Sequence, residues 1–180
     1  MSRKIVLFIL IAVLAGGIGA YVGMQRIKPQ TPQAKALTQL LSQTLPDPAG
    51  QPQALSKWQG KPLLINFWAS WCGPCVEEMP ELEALHKEMP ALQIIGIGVD
   101  SAPKIIEFAG KLKIDYPLYV AGTNAISVMR DLGNTVGGLP FTLLVGADGT
   151  IQQTYIGAID FDKLHKDIAS GITPKLAAAN

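Results

Sequence analysis

A run of buried-strand character, Leu63-Leu64-Ile65-Asn66-Phe67-Trp68, is followed after three residues by Cys72-Gly73-Pro74-Cys75. That junction constrains the fold more than any other stretch of the chain. A short, almost wholly apolar run reads as a strand packed on both faces. Pro74 suits the first turn of a helix, where a missing N–H removes no hydrogen bond. From Pro74 to Met89 the apolar residues Val76, Met79, Leu82, Leu85 and Met89 then fit a helix. Alternation continues with a strand at Leu92–Val99 and a helix at Pro103–Leu112, led by Ser101 as a cap and Pro103 in its first turn. Pro117–Val120 reads as a short strand and Asn124–Leu132 as a helix. Thr142–Val145 and Ile151–Ile156 flank an Asp148-Gly149 hairpin turn, and Asp160–Ala169 is a closing amphipathic helix. The order predicts an α/β domain whose mixed sheet carries helices on its faces. There is no internal repeat, and Gly96, Gly98, Gly137 and Gly138 do not form a phosphate-binding fingerprint.

The N-terminal part is of another kind. Ile5 to Met24 is 20 residues without a charge, enough to cross a hydrocarbon core of about 30 Å as a helix. Arg3 and Lys4 precede it and favour a cytoplasmic N-terminus, with the body of the chain on the far side; Arg26 and Lys28 follow it. The apolar run is longer than that of a cleaved signal, and Val13-Leu14-Ala15 and Ile18-Gly19-Ala20 are weak cleavage sites, so a retained anchor is expected. Residues 1–4 are then a cytoplasmic N-terminus, 5–24 a transmembrane signal anchor, 25–44 a linker, 45–171 the folded domain and 172–180 a tail. Pro29, Pro32, Pro46, Pro48 and Pro52 suit a linker. Within it Leu37, Leu40 and Leu41 are spaced for a short amphipathic helix over Lys35–Thr44, the alternative being a loose spacer. No acidic residue precedes Asp47, whereas five cations do; with those set aside, 10 of the 15 Lys and Arg face 14 acidic residues, leaving the rest of the chain at −4. That charge gives no basis for nucleic-acid binding.

Cys72 and Cys75 are the chain's two cysteines. A zinc site needs two further ligands, and His86 and His165 lack the paired spacing that would supply them. A structural staple closing so short a loop brings the least chain-entropy benefit. A redox role has a physical mechanism. At a strand-to-helix junction Cys72 falls at the helix N-terminus, where unpaired N–H groups and the macrodipole favour a thiolate. Gly73 leaves that sulfur sterically open. Cys75, one turn further in, is the more buried partner and resolves the mixed disulfide formed on Cys72.

WASWCGPCVEEMPEL, following an apolar anchor and a linker, resembles the TlpA/ResA/CcmG-like membrane-anchored branch of thioredoxin-fold thiol-disulfide oxidoreductases, over roughly residues 45–171. The resemblance implies a thioredoxin-like fold: a central mixed sheet flanked by helices, with an N-terminal hairpin extension at Asp47–Gly60 and a central insertion at Ile95–Leu112. Pro80, five residues after Cys75, matches a proline that kinks the family helix. Gly138-Leu139-Pro140-Phe141-Thr142 resembles the segment holding a cis-proline opposite the dithiol, the Leu139 backbone then pairing with an extended client peptide. Trp71, Gly73, Pro74, Leu139 and Pro140 are accordingly the expected substrate-binding residues, with Trp68 as core support. Thioredoxins proper carry a buried aspartate where this chain has Asn66, which cannot act as a base. Glu78 matches an acid of the ResA-like branch, one turn beyond Cys75; desolvated, it could exchange a proton with that thiol. Solvated, it would only favour the helix start, the role read for Glu77.

These residues imply a protein-disulfide reductase in the bacterial inner membrane, single-pass, with its catalytic domain in the periplasm. The clients expected from the family are disulfide-bearing proteins such as apocytochrome c or copper-site proteins. A transmembrane electron donor of the DsbD/CcdA type is the expected partner, because an oxidising compartment offers no soluble reducing pool. No cofactor beyond the Cys72–Cys75 disulfide, no metal and no partner subunit is expected. The rival readings are a disulfide-donating thiol oxidase of the same fold and a non-catalytic binding or holding module.

Overall fold

The computed structural model describes residues 31–171. The expected N-terminus at 1–4, anchor at 5–24, first part of the linker and tail at 172–180 lie outside the described residues. Among the described residues no helix is long and apolar enough to cross a membrane.

The domain is built on strand β3, Leu63–Trp68, whose six side chains are all buried. Successive side chains of a strand point to opposite faces, so both faces of β3 are covered. It lies at the centre of a five-stranded sheet. On one side it pairs in parallel with β4, Gln93–Gly98, which pairs in parallel with β5, Leu118–Val120. On the other it pairs antiparallel with β6, Phe141–Val145, which forms the terminal hairpin with β7, Ile151–Ile156. The expected mixed sheet is present, and its register sets Asn66 opposite Gly96 on one neighbour and Thr142 on the other.

The helices are α1 Pro32–Leu41, α2 Gly73–Glu88, α3 Ala102–Leu112, α4 Ala125–Asp131 and α5 Phe161–Gly171. All contribute to one apolar core: Leu37 and Leu40 from α1, Met79 and Leu82 from α2, Ile105 from α3, Met129 from α4, and Leu164 from α5. Most ends lie within a residue or two of the expected ones. Ser101 occupies the N-cap of α3, but its side chain makes no capping bond; the Asp100 carboxylate instead accepts the Ser101 N–H at 2.7 Å. The segment Ile95–Leu112, expected as an insertion, comprises most of β4 and the helix α3 that crosses over to the parallel strand β5.

The segment read as a linker folds over its described part. Helix α1 begins three residues before the expected Lys35 and ends at Leu41, because Thr44 enters strand β1, Thr44–Pro46, paired with β2, Pro52–Ala54. The Asp47 carboxylate closes that hairpin by accepting the Gln51 N–H at 2.9 Å. Ala36, Leu37, Leu40 and Leu41 form the buried stripe of α1, so this helix belongs to the core. We expect Leu37→Ala to lower stability by about 2–5 kcal/mol, the range for a buried leucine, read from urea unfolding. A loss within the scatter of surface substitutions would make α1 a strap laid over a finished domain.

Candidate active site

The chain leaves β3 at Trp68 and turns into α2 within four residues. The Ala69 carbonyl accepts the Cys72 N–H at 3.2 Å, which makes this turn tight. Cys72 then stands at the N-cap of α2 in an extended conformation, with Pro74 in the first helical turn. The two sulfurs are joined in a disulfide, and Cys72 Sγ also accepts the Cys75 N–H at 3.3 Å. The pair is asymmetric, since Cys72 keeps 7% of its surface and Cys75 none. A Cβ on Gly73 would meet no atom within 4 Å, so the solvent side of the pair is open there. Trp71 projects with 69% of its surface exposed, whereas Trp68 is wholly buried.

The antiparallel register of β3 with β6 closes at Phe67 opposite Phe141, so Pro140 and Leu139 enter β6 at the same end of the sheet at which β3 passes into the 69–72 turn. The Leu139-Pro140 peptide is cis, and the Pro140 carbonyl accepts the Gly157 N–H at 2.9 Å. The approach to it is clamped by Asn134, a fully buried residue. Its amide donates to the Gly138 carbonyl at 2.7 Å, and its oxygen accepts the Gly137 N–H at 3.1 Å. An asparagine three residues before a glycine is a turn signal, here marking the approach to the cis peptide.

Glu78 is buried, which excludes the solvated role; Glu77 beside it is exposed. One Glu78 oxygen accepts from the Asn66 amide at 2.7 Å and the other from the Ile159 N–H at 3.1 Å. Asn66 also donates to the Thr142 hydroxyl at 2.9 Å. The amide on β3 thus holds the acid on α2. Burial raises the Glu78 carboxyl to about 7, against the smaller opposing effect of these two hydrogen bonds. Ile159 and Thr142 were not readable as site residues, because each acts through the pairing of distant segments. Among the described residues no group of three or more His, Cys, Asp or Glu is arranged to hold a metal ion.

A carboxyl that titrates near 7 when folded and at 4.5 when free keeps its proton in the folded chain across a window in which the unfolded chain loses it. Its contribution to stability is therefore complete below about pH 4.5 and is lost as pH rises through 7. We expect the oxidised protein to lose about 3 kcal/mol across this window, and Glu78→Gln to remove that slope. Urea unfolding at closely spaced pH values checks both, and equal slopes would place the titration elsewhere.

The Redoxin family pattern matches residues 30–168. The thiol-disulfide oxidoreductase ResA of Geobacillus kaustophilus is 28% identical over 130 residues, covering 70% of this chain and 72% of its own. The thiol:disulfide interchange protein DsbE of Vibrio cholerae is 29% identical over 188 aligned positions, covering 99% of both. The matched stretch spans 57% of the length of the Oceanobacillus iheyensis ResA and 99% of that of the Vibrio cholerae DsbE. Among solved structures, a secreted Mycobacterium tuberculosis disulfide oxidoreductase homologous to E. coli DsbE superposes with a TM-score of 0.63 at 24% identity, over 72% of this chain and 96% of that one. That likeness identifies the fold as thioredoxin-like. A sheet that ends in a reactive cysteine pair, matched to the family along most of its length, makes the chain a member of the Redoxin family and a thiol-disulfide oxidoreductase of the ResA/DsbE type.

Proposed function

We propose that this oxidoreductase works as a reductant of client disulfides on the periplasmic side of a bacterial inner membrane, tethered there by residues 5–24. The observation that carries the dithiol chemistry is the asymmetric Cys72–Cys75 pair at the start of α2, with the buried Glu78 carboxyl one helical turn beyond Cys75 to exchange its proton; the reducing direction is the family's expectation. In the reduced protein the Cys72 thiolate attacks one sulfur of a client disulfide; that S–S bond breaks, a mixed disulfide forms, and the client's other sulfur leaves as a thiolate. Glu78 takes the proton of Cys75, whose sulfur attacks Cys72 Sγ. The Cys72–Cys75 disulfide forms and the client's second sulfur is released, so two electrons have passed to the client. Trp71, Gly73 and Pro74 on one side, and Leu139 and Pro140 on the other, frame the attacking sulfur for an extended peptide. The spent disulfide needs a two-electron donor that reaches across the membrane, of the DsbD/CcdA type. Apocytochrome c and copper-site proteins are the client classes that family likeness suggests. The protein acts as a monomer, with its own disulfide as sole redox centre and without metal or nucleic acid.

In cells, Cys75→Ser should accumulate mixed disulfides on Cys72, because the resolving sulfur is gone; mass spectrometry of the adducts identifies clients and donor together. A variant that captures nothing would favour a holding module. Equilibration of the wild-type pair with glutathione should give a potential near the thioredoxin value of about −270 mV, whereas one near about −120 mV would assign the pair to an oxidase.

A further inference from the structure

The turn that carries Cys72 and Trp71 is held from outside by one carboxylate. Asp100, the second residue after β4, reaches across to Ser70 and accepts on the same oxygen both its backbone N–H, at 3.1 Å, and its hydroxyl, at 2.5 Å. Its other oxygen accepts the Ser101 N–H at 2.7 Å, where α3 begins. The ladder between the two strands runs up to this point, the Trp68 carbonyl accepting the Val99 N–H at 2.8 Å. Ser70 lies inside the turn closed by the Cys72 N–H and the Ala69 carbonyl. Fixing Ser70 therefore fixes the direction in which the chain presents both Trp71 and Cys72. Burial of Asp100 opposes its charge, but the bonds from Ser70 and Ser101 outweigh it and hold the carboxyl below its ordinary value. The clamp is charge-assisted, the stronger class of hydrogen bond.

We infer that Asp100 is a positioning residue for the dithiol, clamping the 69–72 turn through Ser70 so that Cys72 Sγ meets a client disulfide in line and with Trp71 at its flank. The inference rests on Cys72 as the attacking sulfur. It gives the crossover helix α3 a place in the chemistry, since the carboxylate that starts this helix also sets the turn. The clamp touches neither sulfur; it acts on orientation, and an orientation error of about 1 Å can cost two orders of magnitude in rate.

The test uses the full-length chain in a Cys75→Ser background, where Cys72 is the sole thiol. Two rates are measured at a pH high enough to make Cys72 wholly thiolate: alkylation by iodoacetamide, which approaches from any side, and exchange with a disulfide-bonded peptide, which needs alignment. We expect Asp100→Ala to slow peptide exchange about tenfold, and Ser70→Ala, which retains the backbone N–H, about threefold. The double variant should be no slower than Asp100→Ala alone, because both remove one clamp. Asp100→Asn keeps a carbonyl oxygen for Ser70 and should recover most of the rate. Alkylation should stay within about twofold throughout, which a general loosening of the fold would not permit. Unchanged peptide exchange in Asp100→Ala and Ser70→Ala, multiplicative losses in the double variant, or equal slowing of both reactions would each overturn the inference. Failure of Cys72 to exchange with the peptide before any clamp residue is changed would instead refute its role as the attacking sulfur.

Discussion

Six consecutive buried side chains in β3 form the constraint on which the other elements depend. A strand enclosed on both faces needs helices above and below and a neighbour on each edge, and the chain supplies these in an order that leaves β3 central. Reactive groups cannot sit along such a strand. They can sit only where it ends, and there the chain passes directly into α2 through a four-residue turn. The N-terminal peptide groups of α2 and the sulfur of Cys72 meet at that point because Cys72 is the N-cap of the helix.

The one polar side chain inside β3 directs its amide donors to two neighbouring elements, while its carbonyl oxygen is buried without a hydrogen-bond partner among the described residues. Asn66 donates to Glu78 and to Thr142, joining α2 and β6 to the central strand. With an amide on the strand and a carboxyl on the helix, the protonatable group lies on the element that also carries Cys75. The amide stays neutral, so no second charge competes for the pocket. A single carboxyl enclosed in this way is held near neutrality by desolvation, while its two hydrogen bonds limit how far it moves.

Local chemistry made most of the fold readable in the sequence. The strand and helix periods, the Asp148-Gly149 turn and the Pro74 start all act over a few residues, and they lie where expected. Long-range packing hid the rest. Helix α1 looks like part of a proline-broken spacer until the core receives Leu37 and Leu40. Glu78 reads equally well as a solvated acid, because its enclosure depends on Ile159, 81 positions away in the chain. Asp100 and Ser70, 30 positions apart, look like ordinary loop residues until parallel pairing of β3 with β4 sets the ends of both strands side by side. Motif chemistry thus identified the sulfurs and family resemblance the cis-proline, and only topology revealed what holds them.

The three tryptophans occupy unequal environments: Trp68 is sealed in the core, Trp58 donates its indole N–H to Tyr119 at 2.8 Å, and Trp71 stands open beside the disulfide. A collisional quencher in solution reaches only the last of them. The fluorescence that quencher removes is therefore light emitted beside the disulfide, and a client docked as proposed would shield it. The molecule carries its own optical gauge of occupancy, readable without a label and without altering either sulfur.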